Sequence, residues 1–266
     1  AIAPQHTPIS SCYAGRQITL LSRHAKERVM APIFAEHLGG ELRVDFGYDS
    51  NRLRTFTREI PRRLSQRAAA ARKARLAIER TGLPIGVGSE GAFGADPHFG
   101  VSPWNVELVV LVDAERKIEV VGVDEGLATF AHLVTDKWTE VQVFARDQGF
   151  PLQRLVVRPH GANDPRIRKD IALWSSLESA FAWARHLSRD GQVFIETDGR
   201  AFANPNRMAR IANATEQLAR RELRREVGET NLARSSHFSH HLRHLATPRP
   251  AGSRSASTGP PRPSRW

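Results

Sequence analysis

Leu83-Pro-Ile-Gly-Val-Gly88, the glycine-rich run to Gly94, Val106-Glu-Leu-Val-Val-Leu-Val112 and Lys117 to Val123 form the stretch that decides the fold. Short, β-branched apolar runs bounded by turn residues read as buried strands. Asp113-Ala-Glu-Arg116 supplies a hairpin turn between the last two, so this stretch is the centre of a sheet.

Working outward toward the N-terminus, Gln17-Ile-Thr-Leu-Leu-Ser22 reads as a first strand, and Ala25 to Leu38 carries helical spacing that ends at Gly39-Gly40. Glu41 to Phe46 alternates as a strand does. Arg63 to Arg80, rich in alanine and arginine, is the best helix former and stops at Thr81-Gly82. On the C-terminal side the pattern predicts a helical stretch (Leu127 to Gln148), a strand (Gln153 to Arg158), a helix opened by Asp164-Pro165, a strand (Gln192 to Thr197) and a last helix (Arg207 to Arg225). Helices alternating with strands predict an α/β fold, a mixed or mostly parallel sheet with helices on both faces.

The expected organisation is a flexible segment over 1–16, a single α/β domain over 17–227 and a basic, Ser/Pro/Arg-rich disordered tail over 228–266. The net charge of +11 is uneven: the span from Thr230 to Trp266 holds six arginines and no acid, so the rest is only mildly basic. Nonspecific nucleic-acid contact is therefore expected of the tail. No run approaches the roughly 18 apolar residues of a membrane span, and no signal layout opens the chain, so no membrane association and a cytoplasmic location are expected. The single cysteine, Cys12, makes no internal disulfide and cannot by itself hold a structural zinc.

Polar clusters stand at four predicted strand ends, where α/β sheets bind ligands. Ser22-Arg-His-Ala-Lys-Glu-Arg28 places Arg23, His24 and Lys26 at a helix start, which suits a phosphate and equally suits an ordinary charged first turn. In Gly86-Val-Gly-Ser-Glu-Gly-Ala-Phe-Gly94 one acid, Glu90, stands beside Ser89 among glycines. This reads as a held loop carrying an exposed carboxylate for a metal or for water activation, or as a tight strand-exit turn. In Trp104-Asn105-Val106-Glu107, Glu107 is a second metal ligand or the ion-pair partner of an arginine. Glu196 and Asp198, two apart on one strand, point to one face and need a metal, a proton or an arginine between them. Arg200 and Arg207 are the arginines at hand, so Mg²⁺ and a salt bridge are equal readings.

Two weaker features remain. Arg158 to Lys169 gathers cations that grip an anion or line a solvated loop, and His237, His240, His241 and His244 share a helical face that suits a metal, between flanks that read as unfolded. No nucleophile-elbow serine, Walker loop or dinucleotide fingerprint is present.

Thr55-Phe-Thr-Arg-Glu-Ile60, which contains Arg58, Ser89 to Gly94, Asn105 to Leu108, Glu196-Thr-Asp198 and Asn204-Pro-Asn-Arg-Met208 resemble segments of a bacterial family known as a domain of unknown function, numbered 6671. That resemblance implies no activity. Its members continue into a cysteine-rich, zinc-ribbon-like end that this chain lacks, so no zinc is expected, and the abrupt tail reads as a frameshifted or replaced C-terminus. A fainter resemblance is to inosine triphosphate pyrophosphatases. It rests on Ser22-Arg-His-Ala-Lys26, Ala70-Ala-Arg-Lys-Ala74, Thr81-Gly-Leu-Pro84 and the acidic glycine run. It implies Lys26 and Lys73 on phosphates and Glu90 in the acidic role.

Together these readings predict a Mg²⁺-dependent hydrolase of a nucleotide or phosphorylated small molecule. Glu90 and Lys73 would be catalytic; Arg23, His24, Lys26, Arg58, Ser89, Asn105, Arg200 and Arg207 would bind the ligand; Glu90, Glu107, Glu196 and Asp198 would hold the metal. The alternative is a non-catalytic nucleotide- or nucleic-acid-binding module.

Overall fold

A computed structural model of the chain describes residues 11–22, 24–47, 65–97 and 99–245, with side chains as far as 229. Two units divide it, Ala1–Glu226 and Val227–Trp266. Arg23, Arg58, the four histidines' side chains and the tail beyond Leu245 lie outside the described residues.

The first sheet has the order β2-β1-β3-β4-β5. β1 (Gln17–Leu21) pairs in parallel with β2 (Glu41–Asp45) and β3 (Ile85–Ala95), and the antiparallel β4 (Pro103–Asp113) and β5 (Ile118–Leu127) complete it. The fold is thus α/β with a mixed sheet, covered on both faces. α1 (Glu27–Leu38) ends at Gly39, whose φ of 65° is the left-handed cap the glycine pair predicts. α2 (Gln66–Thr81) opens on Ser65, whose hydroxyl accepts the Ala68 N–H at 3.2 Å.

Parity along β3 and β4 assigns the faces. Ile85, Val87, Val109 and Leu111 pack with Met30 and Phe34 of α1 and with Ile211 and Leu218 of α5 (Pro205–Leu245). Leu108, Val110 and Val112 face Ala70, Ala71 and Ala74 of α2 on the other side.

The glycine run, expected as a loop, is strand throughout β3. A Cβ at Gly86 would lie 2.3 Å from the Ala74 carbonyl oxygen, and one at Gly88 1.9 Å from that of Ala70. The glycines therefore exist to let α2's alanine stripe lie directly on the strand.

A second sheet, order β6-β9-β7-β8, is antiparallel throughout: β6 (His132–Thr135), β7 (Leu155–Arg158), β8 (Arg168–Ile171) and β9 (Val193–Thr197). Val141 and Ala145 of α3 (Trp138–Asp147) and Leu177, Phe181 and Ala184 of α4 (Trp174–Leu187) pack on Leu155, Val157, Val193 and Ile195.

Four expectations change here. Leu127 to Gln148 is not one helical stretch, because His132–Thr135 is drawn into the sheet by β9. Asp164-Pro165 opens no helix: the Asp164 carboxylate accepts the Arg166 N–H two residues on at 2.8 Å, a turn, and β8 follows. The cap-then-proline start occurs instead at Asn204-Pro205, where Asn204 Oδ1 accepts the Arg207 N–H at 3.0 Å and α5 begins. α5 continues to Leu245, beyond the expected end at Arg225. Residues 11–16, expected as part of a flexible segment, form turns that bury Tyr13 completely.

Candidate functional site

β1 and β3 are parallel neighbours, and α1, which leaves β1, lies on the face opposite to α2, which enters β3. Their carboxyl ends are therefore a topological switch point, the crevice where open α/β sheets take ligands. β1 stops at Leu21, while β3 runs on past its last pair with β1, Leu20 with Val87, so Ser89 and the residues after it stand beside the β1–α1 turn. Within that turn Ala25 has φ 52°, a conformation that non-glycine residues seldom hold.

Two lysines reach Ser89 from different helices. Lys26, at the start of α1 and 6% exposed, donates from Nζ to Ser89 Oγ at 3.0 Å. Lys73, buried on α2, places Nζ 2.7 Å from Glu90 Oε1 and 3.5 Å from the Ser89 carbonyl oxygen. Glu90 is thus a buried strand residue under α2 rather than an exposed loop carboxylate. Gln66, for which the sequence offered no signal, donates from Nε2 at 2.9 Å to the carbonyl oxygens of both Glu90 and Val106.

The next position on the Ser89 side of β3 is Gly91, paired with Glu107. Glu107, fully buried, accepts from Arg207 Nε at 2.6 Å and from Asn105 Nδ2 at 3.0 Å, both on Oε1. A Cβ at Gly91 would come 2.2 Å from Arg207 Nη2 and 2.4 Å from Glu107 Oε1, so the glycine makes room for the pair. Arg207 also donates to the Gly199 carbonyl oxygen at 2.6 Å, beyond the end of β9, and lies over the Phe93 ring. Glu107 Oε2 and Asn204 Nδ2 are buried without hydrogen-bond partners among the described residues.

The fourth cluster resolves into salt bridges. Asp198 is held by Arg200, with Nε 3.0 Å from both carboxylate oxygens, and Glu196 is 3.4 Å from Arg158 Nε. Burial pushes the Glu196 carboxyl above its ordinary value, against the pull of Arg158. Arg200 and Arg154 both lie over Phe202, on which His24 also stacks at 5.9 Å.

The structure brings together Lys26 with Ser89, Lys73 with Glu90, and Asn105, Glu107 and Arg207 with one another. It does not gather the four expected metal ligands. Glu90 and Glu107 face opposite sides of the sheet, while Glu196 lies in β9 of the other sheet and Asp198 just past its end, each with its own arginine. These residues do not fit a shared Mg²⁺ site. Among the described residues, a trio of ligating groups does converge elsewhere, at Cys12, Glu222 and Glu226, which the sequence reading missed because Cys12 lies some 200 positions before the two acids.

No helix among the described residues is long and apolar enough to cross a membrane. No curated protein and no solved structure matches the chain, so the likeness to inosine triphosphate pyrophosphatases is not shown. The family described as "Domain of unknown function (DUF6671)" matches residues 73–226, which run from the lysine beside Glu90, through β3 to β5 and the second sheet, to the buried acids of α5, and the chain belongs to that family.

Proposed function

We propose that this protein binds a phosphorylated small molecule, a nucleotide in the first instance, in the crevice at the carboxyl ends of β1 and β3. The observation that carries the reading is the buried ammonium group of Lys26, which donates to Ser89 Oγ at a topological switch point. α1 starts there with no side-chain cap, so its first N–H groups point the positive end of a helix into the same place. A crevice of this kind suits a small ligand better than a nucleic-acid duplex. Binding is better supported than Mg²⁺-dependent hydrolysis, because Glu90 is engaged by Lys73 and the other candidate acids do not share its face.

Titration calorimetry and thermal unfolding with nucleoside mono-, di- and triphosphates and with pyrophosphate, with and without Mg²⁺, test the reading. A ligand at 100 times its Kd stabilises the folded state by about 2.7 kcal/mol. Ser89→Ala and Lys26→Met are expected to weaken binding at least tenfold. If no phosphorylated compound shifts the wild-type transition, the proposal fails. Mg²⁺-dependent phosphate or pyrophosphate release that Glu90→Gln abolishes would instead favour hydrolysis.

A further inference from the structure

Beyond its last pair with β1, β3 presents Ser89, Gly91 and Phe93 in turn on the face that α1 and α5 cover. Both helices start at this end of the sheet. Lys26 brings the beginning of α1 to Ser89, and Arg207, in the first turn of α5, reaches Glu107 opposite Gly91. Gln217 and Arg221, further along α5, meet Val123 and Val121 instead. The positive ends of two helices therefore converge on one strip of β3, with Gly91 roughly 7 Å along the strand from Ser89.

The hydrogen bonds of this strip leave one acceptor and one donor over. Glu107 Oε1 takes both Arg207 Nε and Asn105 Nδ2, while Oε2 accepts nothing among the described residues although the side chain is fully buried. A Cβ at Gly91 would lie 2.7 Å from that oxygen, so Oε2 stands directly over the glycine on the Ser89 side. The Asn204 amide is oriented by two donors on Oδ1, the Arg207 N–H at 3.0 Å and the Thr129 hydroxyl at 3.2 Å. Its Nδ2 donates to nothing among the described residues although Asn204 is 1% exposed, and turning the amide over would forfeit the cap of α5. Buried polar groups are matched as a rule, and a charged oxygen is among the costliest to leave.

We propose that the molecule bound at the crevice is a phosphate ester of a pentose, its phosphate on Lys26, Ser89 and the start of α1, and its ring hydroxyls on Glu107 Oε2 and Asn204 Nδ2. The inference rests on phosphate binding at the crevice and adds what the phosphate is attached to. A carboxylate oxygen lacking a donor and an amide lacking an acceptor are both answered by neighbouring hydroxyls, each of which donates and accepts. The same carboxylate repels a second phosphate, so the strip selects an ester over an inorganic polyphosphate. The step from Ser89 to Gly91 is one that the phosphate and ring hydroxyls of a single pentose span. Phe93, 36% exposed with Arg207 over its ring, places the hydroxyl sites one side chain beneath the surface.

Free pentose phosphates and nucleotides share this chemistry, so the test uses two matched pairs on the full chain. Titration calorimetry compares ATP with 2′,3′-dideoxyATP, and ribose 5-phosphate with 2-deoxyribose 5-phosphate. The hydroxylated member is expected to bind at least tenfold tighter, because its analogue leaves buried polar groups unpaired. Discrimination within the nucleotide pair alone assigns a nucleotide, and within the sugar pair a pentose phosphate by itself. Asn204→Ser keeps an oxygen to cap α5 but no amide donor, and should shrink the ratio at least fivefold. That ratio compares two ligands on one protein, so a loss of stability by itself does not move it. Equal affinities within each pair overturn the proposal and leave phosphate binding at the crevice standing, whereas failure of all four compounds to bind removes both. The wild-type ratio decides the matter even if the variant fails to fold.

Discussion

Glu90 and Glu107 stand one register position apart on neighbouring strands yet face opposite sides of the sheet: Glu90 is paired with Leu108, and Glu107 with Gly91. One acid lies under α2 with Lys73, the other on the side of α1 and α5 with Arg207. Removing one partner of a buried pair leaves an uncompensated charge, which costs about 3–5 kcal/mol. Lys73→Met is expected to lower stability by that amount, and Lys73→Met with Glu90→Leu to restore most of it. Urea unfolding with an unchanged m-value measures both; a loss under about 1 kcal/mol in the single variant would contradict a dry pair.

Arg207→Ala should be about as costly, roughly 3–5 kcal/mol, since it strands the fully buried Glu107. Arg207→Lys should recover little. A single ammonium cannot reproduce the guanidinium fork that serves both Glu107 Oε1 and the Gly199 carbonyl. Equal midpoints for the lysine variant and the wild type would refute the bridging role.

Gly88→Ala is expected to destabilise by about 3 kcal/mol, because its Cβ would meet the Ala70 carbonyl oxygen at 1.9 Å and lift α2. Gly94 on the same strand has nothing within 4 Å, so Gly94→Ala should stay within about 0.5 kcal/mol. Thermal midpoints of the two variants, compared side by side, check the close approach of helix and strand.

Cys12 supplies a pH signature. Its thiol, pushed from the ordinary 9.0 up to about 12 mainly by burial, favours the folded state while neutral. The contribution is full below pH 9 and is lost as pH rises toward 12. Native protein should therefore react slowly with an aromatic disulfide reagent at pH 8, and unfolded protein promptly. Equal rates would refute it.

The Glu196 carboxyl is raised chiefly by burial, so the native state holds its proton more tightly than the unfolded chain. Stability should fall as pH climbs from the ordinary value of 4.5 toward the raised one, and Glu196→Gln should flatten that slope. Denaturation midpoints between pH 4 and 7 report the difference.

The first sheet was legible because its signals were local: β-branched runs, a glycine stop after α1, and the turn at Asp113 to Arg116. The second was less so, since His132–Thr135 acquires strand character only by pairing with β9. The cap-then-proline reading fails at Asp164, because Asp164 spends its carboxylate on Arg166 in a turn, and the pattern that does open a helix, Asn204-Pro205, was passed over. Within the site, the polar clusters were visible and the pairing among them was not. Glycine reads as loop chemistry in sequence, whereas here it records backbone meeting backbone, so Glu90 passed from exposed loop acid to buried strand acid.

Arg207 binds Glu107 in one sheet and a carbonyl beyond the last strand of the other. Substitutions at Glu107 and in the Asp198-Gly199-Arg200 turn should accordingly show strong epistasis, with a change on either side altering what is tolerated on the other. The two sheets are thereby coupled in what they tolerate, through the Arg207 guanidinium.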